Sequence, residues 1–363
     1  TNTLDANHIH LHDCGMNIAL RSFSKDSLNI SVRRLQASEL NSGLSLHDTH
    51  FKLIANSKQA RLTDFSISLP HSHASIDSLN VDFQHFKNDS TFTLRSTPLT
   101  GTIVLKDLAS IEKKLDLFNT PFHFSFSVIG NEKTIAVPDF NVYSGKNITF
   151  KANMDIFCPI NKELREIHSH ISYLNLRDEE IPNIVNTFIP NYKDSLIHHI
   201  KDITYSGNIK YNSDKEFLSD GNIKTAIGSA EYDIIYDADK ILSGVISGDS
   251  VHIGKILNDK RLGTTSFNFD VVYNTISTQT IPSAKALGKI HHIAYNGYNY
   301  NNISIDAQSY PTGMKGMVDI DDENLKSCAN ITYIDAPHKD IQLDLSLNKI
   351  HFNNINLVKT DKE

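Results

Sequence analysis

The sequence predicts an all-β chain, and three observations carry that prediction. Apolar and polar residues alternate with period two over most of its length. Clusters of Gly, Asn, Asp and Pro separate the alternating runs, as at Gly130-Asn131, Ser144-Gly145-Lys146 and Pro311-Thr312-Gly313. Helical spacing appears at only three places.

The first run is Asn7-His-Ile-His-Leu-His-Asp13, in which His8, His10 and His12 share one strand face and Ile9 and Leu11 the other. A structural zinc site takes four converging ligands with second-shell support. Only Asp13 and Asp5 stand near the trio, so the histidines read as the wet face of a strand and no metal is expected. Leu28, Ile30 and Val32 then alternate with Asn29, Ser31 and Arg33, and Phe65, Ile67 and Leu69 with Ser66 and Ser68. Phe122, Phe124, Phe126 and Val128 stand against His123, Ser125 and Ser127; Ile148, Phe150 and Met154 against Thr149, Lys151 and Asp155. Later runs carry Phe267, Phe269 and Val271, then Ile303 and Ile305, then Leu343 and Leu345. Each run predicts a strand with one dry and one wet face.

Asp107 is placed to cap a short helix with Leu108, Ile111, Leu115 and Phe118 on one side. A second helix is expected from Asp178, with Pro182 in its first turn and Ile181, Ile184, Val185 and Phe188 on one face. Ile253, Ile256 and Leu257 suggest a third, very short one. The preceding anchors Leu105, Leu176 and Val251 are 71 and 75 residues apart, which predicts a degenerate repeat of several strands and one helix within a single elongated segment, 1–363.

Composition narrows the function. With 21% charged and 39% hydrophobic residues, the chain has the balance of a folded protein, and no apolar run is long enough to cross a bilayer as a helix. A net charge of −7 without a basic block argues against nucleic acid as a partner. Cys14, Cys158 and Cys328 form neither a metal pair nor an even disulfide set, and the five Asn-x-Ser/Thr sites are what chance gives in so Asn-rich a chain. Starting at Thr1, the sequence reads as an excised piece or mature fragment. Asp319–Asn324 departs from a calcium loop, because Asn324 stands where glycine is required, and reads as an acidic turn. Gly43-Leu-Ser45-Leu-His47 breaks the nucleophile-elbow pattern at its last glycine. Metalloprotease, dinucleotide and phosphate-loop motifs are absent from the sequence, so an enzyme is not expected.

Roughly 20 to 25 strands, nearly all one-sided, must share a dry face. Two packed sheets would do this, as would one long sheet curling over an apolar groove; a β-helix would need a ~20-residue period that does not occur. The stretches Leu287–Asp306, LGKIHHIAYNGYNYNNISID, and Gly228–Ala238, GSAEYDIIYDA, resemble the TamB proteins of Gram-negative bacteria, members of the AsmA-like superfamily. That resemblance implies a long taco-shaped β-sheet with an apolar groove, crossing the periplasm from an inner-membrane anchor. It implies a BamA-like outer-membrane barrel as partner and phospholipid acyl chains as cargo. It implies no cofactor and no catalytic residues. The anchor helix is not in this sequence, and no barrel-docking domain is identifiable. The dry-face residues named above, from Leu28 to Leu345, are the candidate lipid contacts. Two other readings stand beside this one: a scaffold that binds nascent outer-membrane strands by β-augmentation, and an extracellular β-sandwich array used in adhesion.

Overall fold

Alternation becomes strand almost everywhere. The computed structural model describes residues 8–24, 26–84, 91–117, 119–179, 181–182, 199–275, 281–335 and 339–356, and these contain 22 strands, every observed pairing antiparallel. The chain divides into two units, Thr1–Lys193 and Asp194–Glu363. No second sheet occurs among the described residues.

The first unit is a meander of β1 (Leu11–Ser24), β2 (Ser27–Glu39), β3 (Ser45–Asn56), β4 (Gln59–Ser68) and β5 (His73–Gln84). It continues through β6 (Thr91–Ser96), β7 (Leu99–Val104), β8 (Pro121–Phe126), β9 (Ile129–Asn131), β10 (Thr134–Ser144), β11 (Ile148–Phe157) and β12 (Glu166–Leu176). β6 and β7 both pair with β5, so they are two halves of one strand broken at Thr97-Pro98. β8 and β9 are likewise halves broken at Ser127-Val128, both pairing with β10. β10 shifts register at Pro138-Asp139, β12 at Ser172, opposite Lys151 and Ala152, and β4 at Asp64, whose φ is 51°. Proline cannot supply a ladder N–H, and hydroxyls fill the gaps. Thr97 Oγ1 accepts from Ser78 N at 2.9 Å, and Ser96 Oγ accepts from Val128 N at 2.8 Å. Bulges bend the strands that carry them. Here they fall near the middle of β4, β10 and β12.

The second unit is a plain meander: β13 (Ile203–Tyr211), β14 (Phe217–Thr225), β15 (Gly228–Tyr236), β16 (Ile241–His252), β17 (Leu262–Asn274), β18 (Ala284–Tyr295), β19 (Tyr298–Tyr310), β20 (Gly313–Asp321), β21 (Leu325–Ile334) and β22 (Asp340–Ile350). Each strand pairs with the next.

Helix is scarcer than expected. Near Leu105 there are two 3₁₀ turns, Leu105–Leu108 and Lys113–Leu117, instead of one amphipathic helix, and Ile111 is 56% exposed. Asp107 does not cap it. Its carboxylate instead holds the 69–72 turn, accepting from His71 N at 2.8 Å and Ser72 Oγ at 2.6 Å and bonding His71 Nδ1 at 2.8 Å. Of the helix expected from Asp178, Ile181 and Pro182 are helical, while Ile184, Val185 and Phe188 lie outside the described residues. The third is a single turn, α1 (Ile253–Ile256), as expected. The opening histidines differ in detail. His8 and His10 precede β1, His12 lies within it bonded to Asp13 at 2.7 Å, and Ile9 and Leu11 are 53% and 59% exposed.

Consecutive antiparallel strands turn at two alternating borders, and the borders are built differently. One uses buried carboxylates. Glu39 accepts from His10, Asn41 and Ser42 N–H groups, Asp107 acts as above, and Asp322 accepts from Tyr298 Oη at 2.5 Å, Asn324 N at 2.9 Å and Asn301 N at 3.0 Å. In the second unit the border that carries Asp322 also carries Ile355, fully buried against Tyr300 and Ile303, with Tyr300 Oη donating to its carbonyl at 3.0 Å. The opposite border relies on exposed Asx turns, such as Asn56 accepting from Lys58 and Gln59, and Asn131 from Lys133 and Thr134.

Two outcomes follow from this construction. Gly244 has φ 151°, and a Cβ there would run into the Asp233 carbonyl, whereas a Cβ on Gly316 meets only ordinary contacts at 3.5 Å. Gly244→Ala is therefore expected to destabilise by roughly 2–4 kcal/mol, and Gly316→Ala to be neutral or stabilising by up to about 1 kcal/mol, as read by denaturant unfolding. Burial opposes ionisation of Asp322, yet hydrogen bonds from Tyr298, Asn324 and Asn301 outweigh it and hold the carboxyl below its ordinary value. A depressed folded pKa gives stability that is complete above the unfolded value, about 3.9, and is lost as pH falls through the folded one. Melting should accordingly weaken below about pH 4, and Asp322→Asn should melt lower at pH 7 with a flatter acid limb. An unchanged acid limb would assign the acid loss to other groups.

Candidate apolar binding face

Register converts local alternation into a surface. In the second unit four rows run across all ten strands, and each row takes one residue per strand. One row reads Ile209, Ser219, Ile234, Gly244, Val271, Ala286, Ala307, Gly316, Ile331 and Leu343; the next contains Tyr232, Ile246, Phe269, Gly288, Ile305, Val318, Ala329 and Leu345. Only Gly, Ala, Ser, Val, Ile, Leu, Met, Phe and Tyr occur in the four rows. None is charged. The opposite face carries Asp220, Asp233, Asp270, Asp306 and Asp344 in a single row, with Val245, Leu287 and Met317 between them.

Side-chain size shapes the dry face. Ala286, Ala307 and Gly316 form a low floor between Val271 and Ile331, and Leu242, Tyr273 and Met314 stand on one side with Ile246, Ile305 and Val318 on the other. The result is an apolar trough of about 530 Å³, within the ~300–1,000 Å³ usual for small-molecule sites. Beside the trough, over β13–β15, lies a hydroxyl cluster. Tyr205 Oη and Tyr232 Oη are 3.0 Å apart, Tyr232 Oη and Ser219 Oγ 3.0 Å, and Ser219 Oγ donates to the Asn208 carbonyl at 3.1 Å. Burial, with the neighbouring Tyr232 hydroxyl, pushes Tyr205 up to about 12, so it stays a protonated donor.

The first unit has a dry face too, filled differently. Ile67, Ala74, Gly101, Phe124, Val142, Phe150 and Leu174 form one row. Phe124, Phe126, Phe140 and Phe150 make a chain of ring contacts, with centroids 6.1, 5.4 and 5.9 Å apart.

Every sequence-predicted contact in a strand falls on the dry face of its own unit. Leu28, Ile30 and Val32 pair with Ala55, Leu53 and Phe51; Phe65 packs near Phe51; Phe122 pairs with Ile103, Phe126 with Leu99, Ile148 with Ser144 and Met154 with Val137. Leu69 lies just past β4, and Val128 at the break between β8 and β9. Of these residues only Val32, Ile148 and Ile303 are buried; Leu343 and Leu345 are each 58% exposed and the rest intermediate. No layer covers this face among the described residues.

Sequence reasoning missed the small-residue floor, the tyrosine cluster and the border carboxylates. The glycines and alanines were visible, but nothing short of register aligns them. Among the described residues no group of three His, Cys, Asp or Glu is placed to hold a metal, and no helix is long and apolar enough to cross a membrane. Ser45, at the start of β3, bonds Ser38 and has no base beside it in that contact.

A charge on the floor should abolish occupancy of the trough, whereas one on the adjacent outward position should not. Ala286→Asp is expected to reduce binding of an environment-sensitive apolar dye at least tenfold, and Leu287→Lys, on the opposite face between Asp270 and Asp306, to leave it within about twofold, with melting followed in parallel.

Compared with known proteins, the chain matches no family model, no curated protein and no solved structure.

Proposed function

We propose that this chain is part of a periplasmic bridge that carries phospholipid acyl chains along the dry faces of its sheet, between an inner-membrane anchor and an outer-membrane barrel of the BamA-like class. The supporting observation is the charge-free dry face of the second unit, four rows across ten strands, left largely half-exposed. Water against such a surface is unfavourable by about 25 cal/mol per Å², and an acyl chain in water costs about 0.8 kcal/mol per CH₂. Contact between the two removes both penalties. No particular ligand residue is needed for that exchange. The mid-strand bulges of the first unit support a curled, taco-like sheet, since each bends its strand at a similar position. The turns near 105, 181 and 253 support a repeat of strands closed by a helical junction.

A second reading rests on β22. It pairs with β21, and its Ile341, Leu343, Leu345 and Leu347 are 70%, 58%, 58% and 48% exposed. A long edge with an apolar face is a template for strand addition, which favours a scaffold for outer-membrane strands.

Native mass spectrometry with lipid extraction of the purified chain tests the first reading. Phospholipid is expected to co-purify, and a protein that stays lipid-free when offered vesicles would contradict it. In the full-length protein, Phe124→Asp and Phe150→Asp should compromise outer-membrane integrity while Thr149→Asp and Lys151→Ala do little. Equal loss of melting and function would make those phenylalanines ordinary core.

A further inference from the structure

We propose that an acyl lipid in the trough of the second unit lies along the strands, its oxygen-bearing head at the border where β17 gives way to β18 and its tail pointing to the border of Asp322 and Ile355. This rests on the lipid reading above and adds the direction in which the ligand lies.

Register gathers tyrosines at the first of these borders. The outermost dry row there takes Tyr211 from β13, Tyr236 from β15, Tyr273 from β17 and Tyr333 from β21. A tyrosine so placed lays its ring on apolar surface and keeps its hydroxyl at the water's edge. Tyr236 Oη lies 3.3 Å from Thr275 Oγ1, and Tyr333 Oη donates to Asp335 at 2.5 Å. Tyr211 and Tyr273 are 43% and 40% exposed, and neither hydroxyl has a hydrogen bond among the described residues. Tyr273 lines the trough, so its proton can go to a carbonyl, carboxylate or phosphate oxygen of a ligand there. Ala284 and Ser309, the two small residues of this row, stand side by side between Tyr273 and Met314, and the trough opens over them.

The far end of the same strands is closed and dry. Over β17–β20 the fourth dry row is Phe267, Ile290, Ile303 and Ile320, which is hydrocarbon alone. Beyond it Ile355 is fully buried against Ile303 and Tyr300. Tyr298 and Tyr300 spend their protons on Asp322 and on the Ile355 carbonyl. Arg261, over the Tyr295 ring at that border, is held by both carboxylate oxygens of Asp259. An ester or carboxylate on the Ile290–Ile303 row would have no donor in that row, which costs free energy, whereas a methyl end suits it. Length agrees. Four rows are three intervals of two residues, about 20 Å at roughly 6.7 Å each. A sixteen-carbon tail, extended at about 1.25 Å per bond, covers about 19 Å. One tail thus runs from the tyrosine row, over Ala286 and Ala307, to the Ile290–Ile303 row.

The shared ligand chemistry is a long acyl chain headed by oxygen acceptors, whether a phospholipid or a free fatty acid. Photolabelling of the full chain tests the orientation. One arm uses palmitic acid with a diazirine near the carboxyl or near the methyl end; a second uses phosphatidylglycerol with the diazirine at the same two positions of one tail. Head-proximal labels are expected on Tyr273, Ala284, Ser309 and Met314, and tail-terminal labels on Phe267, Ile290 and Ile320, each enriched at least fivefold over the other set. Labelling with this bias in one arm alone supports the orientation and names the source. Tyr273→Phe breaks no hydrogen bond of the described chain, so melting should hold while the head-end enrichment falls below twofold. Reversed or unbiased labelling of the wild-type chain, or a bias that Tyr273→Phe leaves unchanged, would overturn the proposal while leaving lipid binding intact. Absence of labelling in both arms would overturn the lipid reading as well.

Discussion

Strand register is the constraint on which the rest of this protein depends. A one-residue slip in any pairing would turn that strand's apolar set to the opposite side. The ten-strand face of the second unit therefore exists only because nine successive pairings each keep their phase. Where an extra residue enters, a compensating partner follows. Ser250 takes positive φ at a bulge in β16, and pairing with β17 resumes beyond it. Carboxylates at one border and Asx turns at the other hold the hairpins that set this phase.

The strands were legible because their signal is local. Ile148 to Ile156 alternates within a single run of residues, and β11 spans Ile148–Phe157. Face membership of Phe122, Phe150, Phe267 and Ile305 was equally legible, since period two fixes it once a strand is granted. The 3₁₀ turns were not, because Asp107 looks like a cap until His71 and Ser72, 36 and 35 residues earlier, are seen to use its carboxylate. The trough was hidden for the same reason. Ala286, Ala307 and Gly316 lie far apart in sequence and become neighbours only through pairing. Ile355 was not singled out, because it lies beyond β22 and its partner Tyr300 is 55 residues earlier.

The two units put similar dry faces to different use. Phenylalanine rings in van der Waals range fill the centre of the first, whereas Gly and Ala hollow the second. A half-exposed dry face is a liability in water unless something occupies it. Acyl chains suit this one because they need area and no specific partner, which also accounts for a sequence without a recognisable catalytic motif. Most hydroxyls on the dry face find partners, as among Tyr205, Tyr232 and Ser219, from Ser309 to the Pro282 carbonyl and from Tyr333 to Asp335.

The most direct measurement is methyl NMR of the chain labelled at Ile, Leu and Val, titrated with a phospholipid carrying a spin label in its tail. Acyl occupancy of the dry face predicts strong broadening at Ile246, Ile305 and Val318 and little at Val245 and Leu287, which sit on the opposite face of the same strands. Equal broadening on both faces, or broadening confined to Val245 and Leu287, would contradict the account.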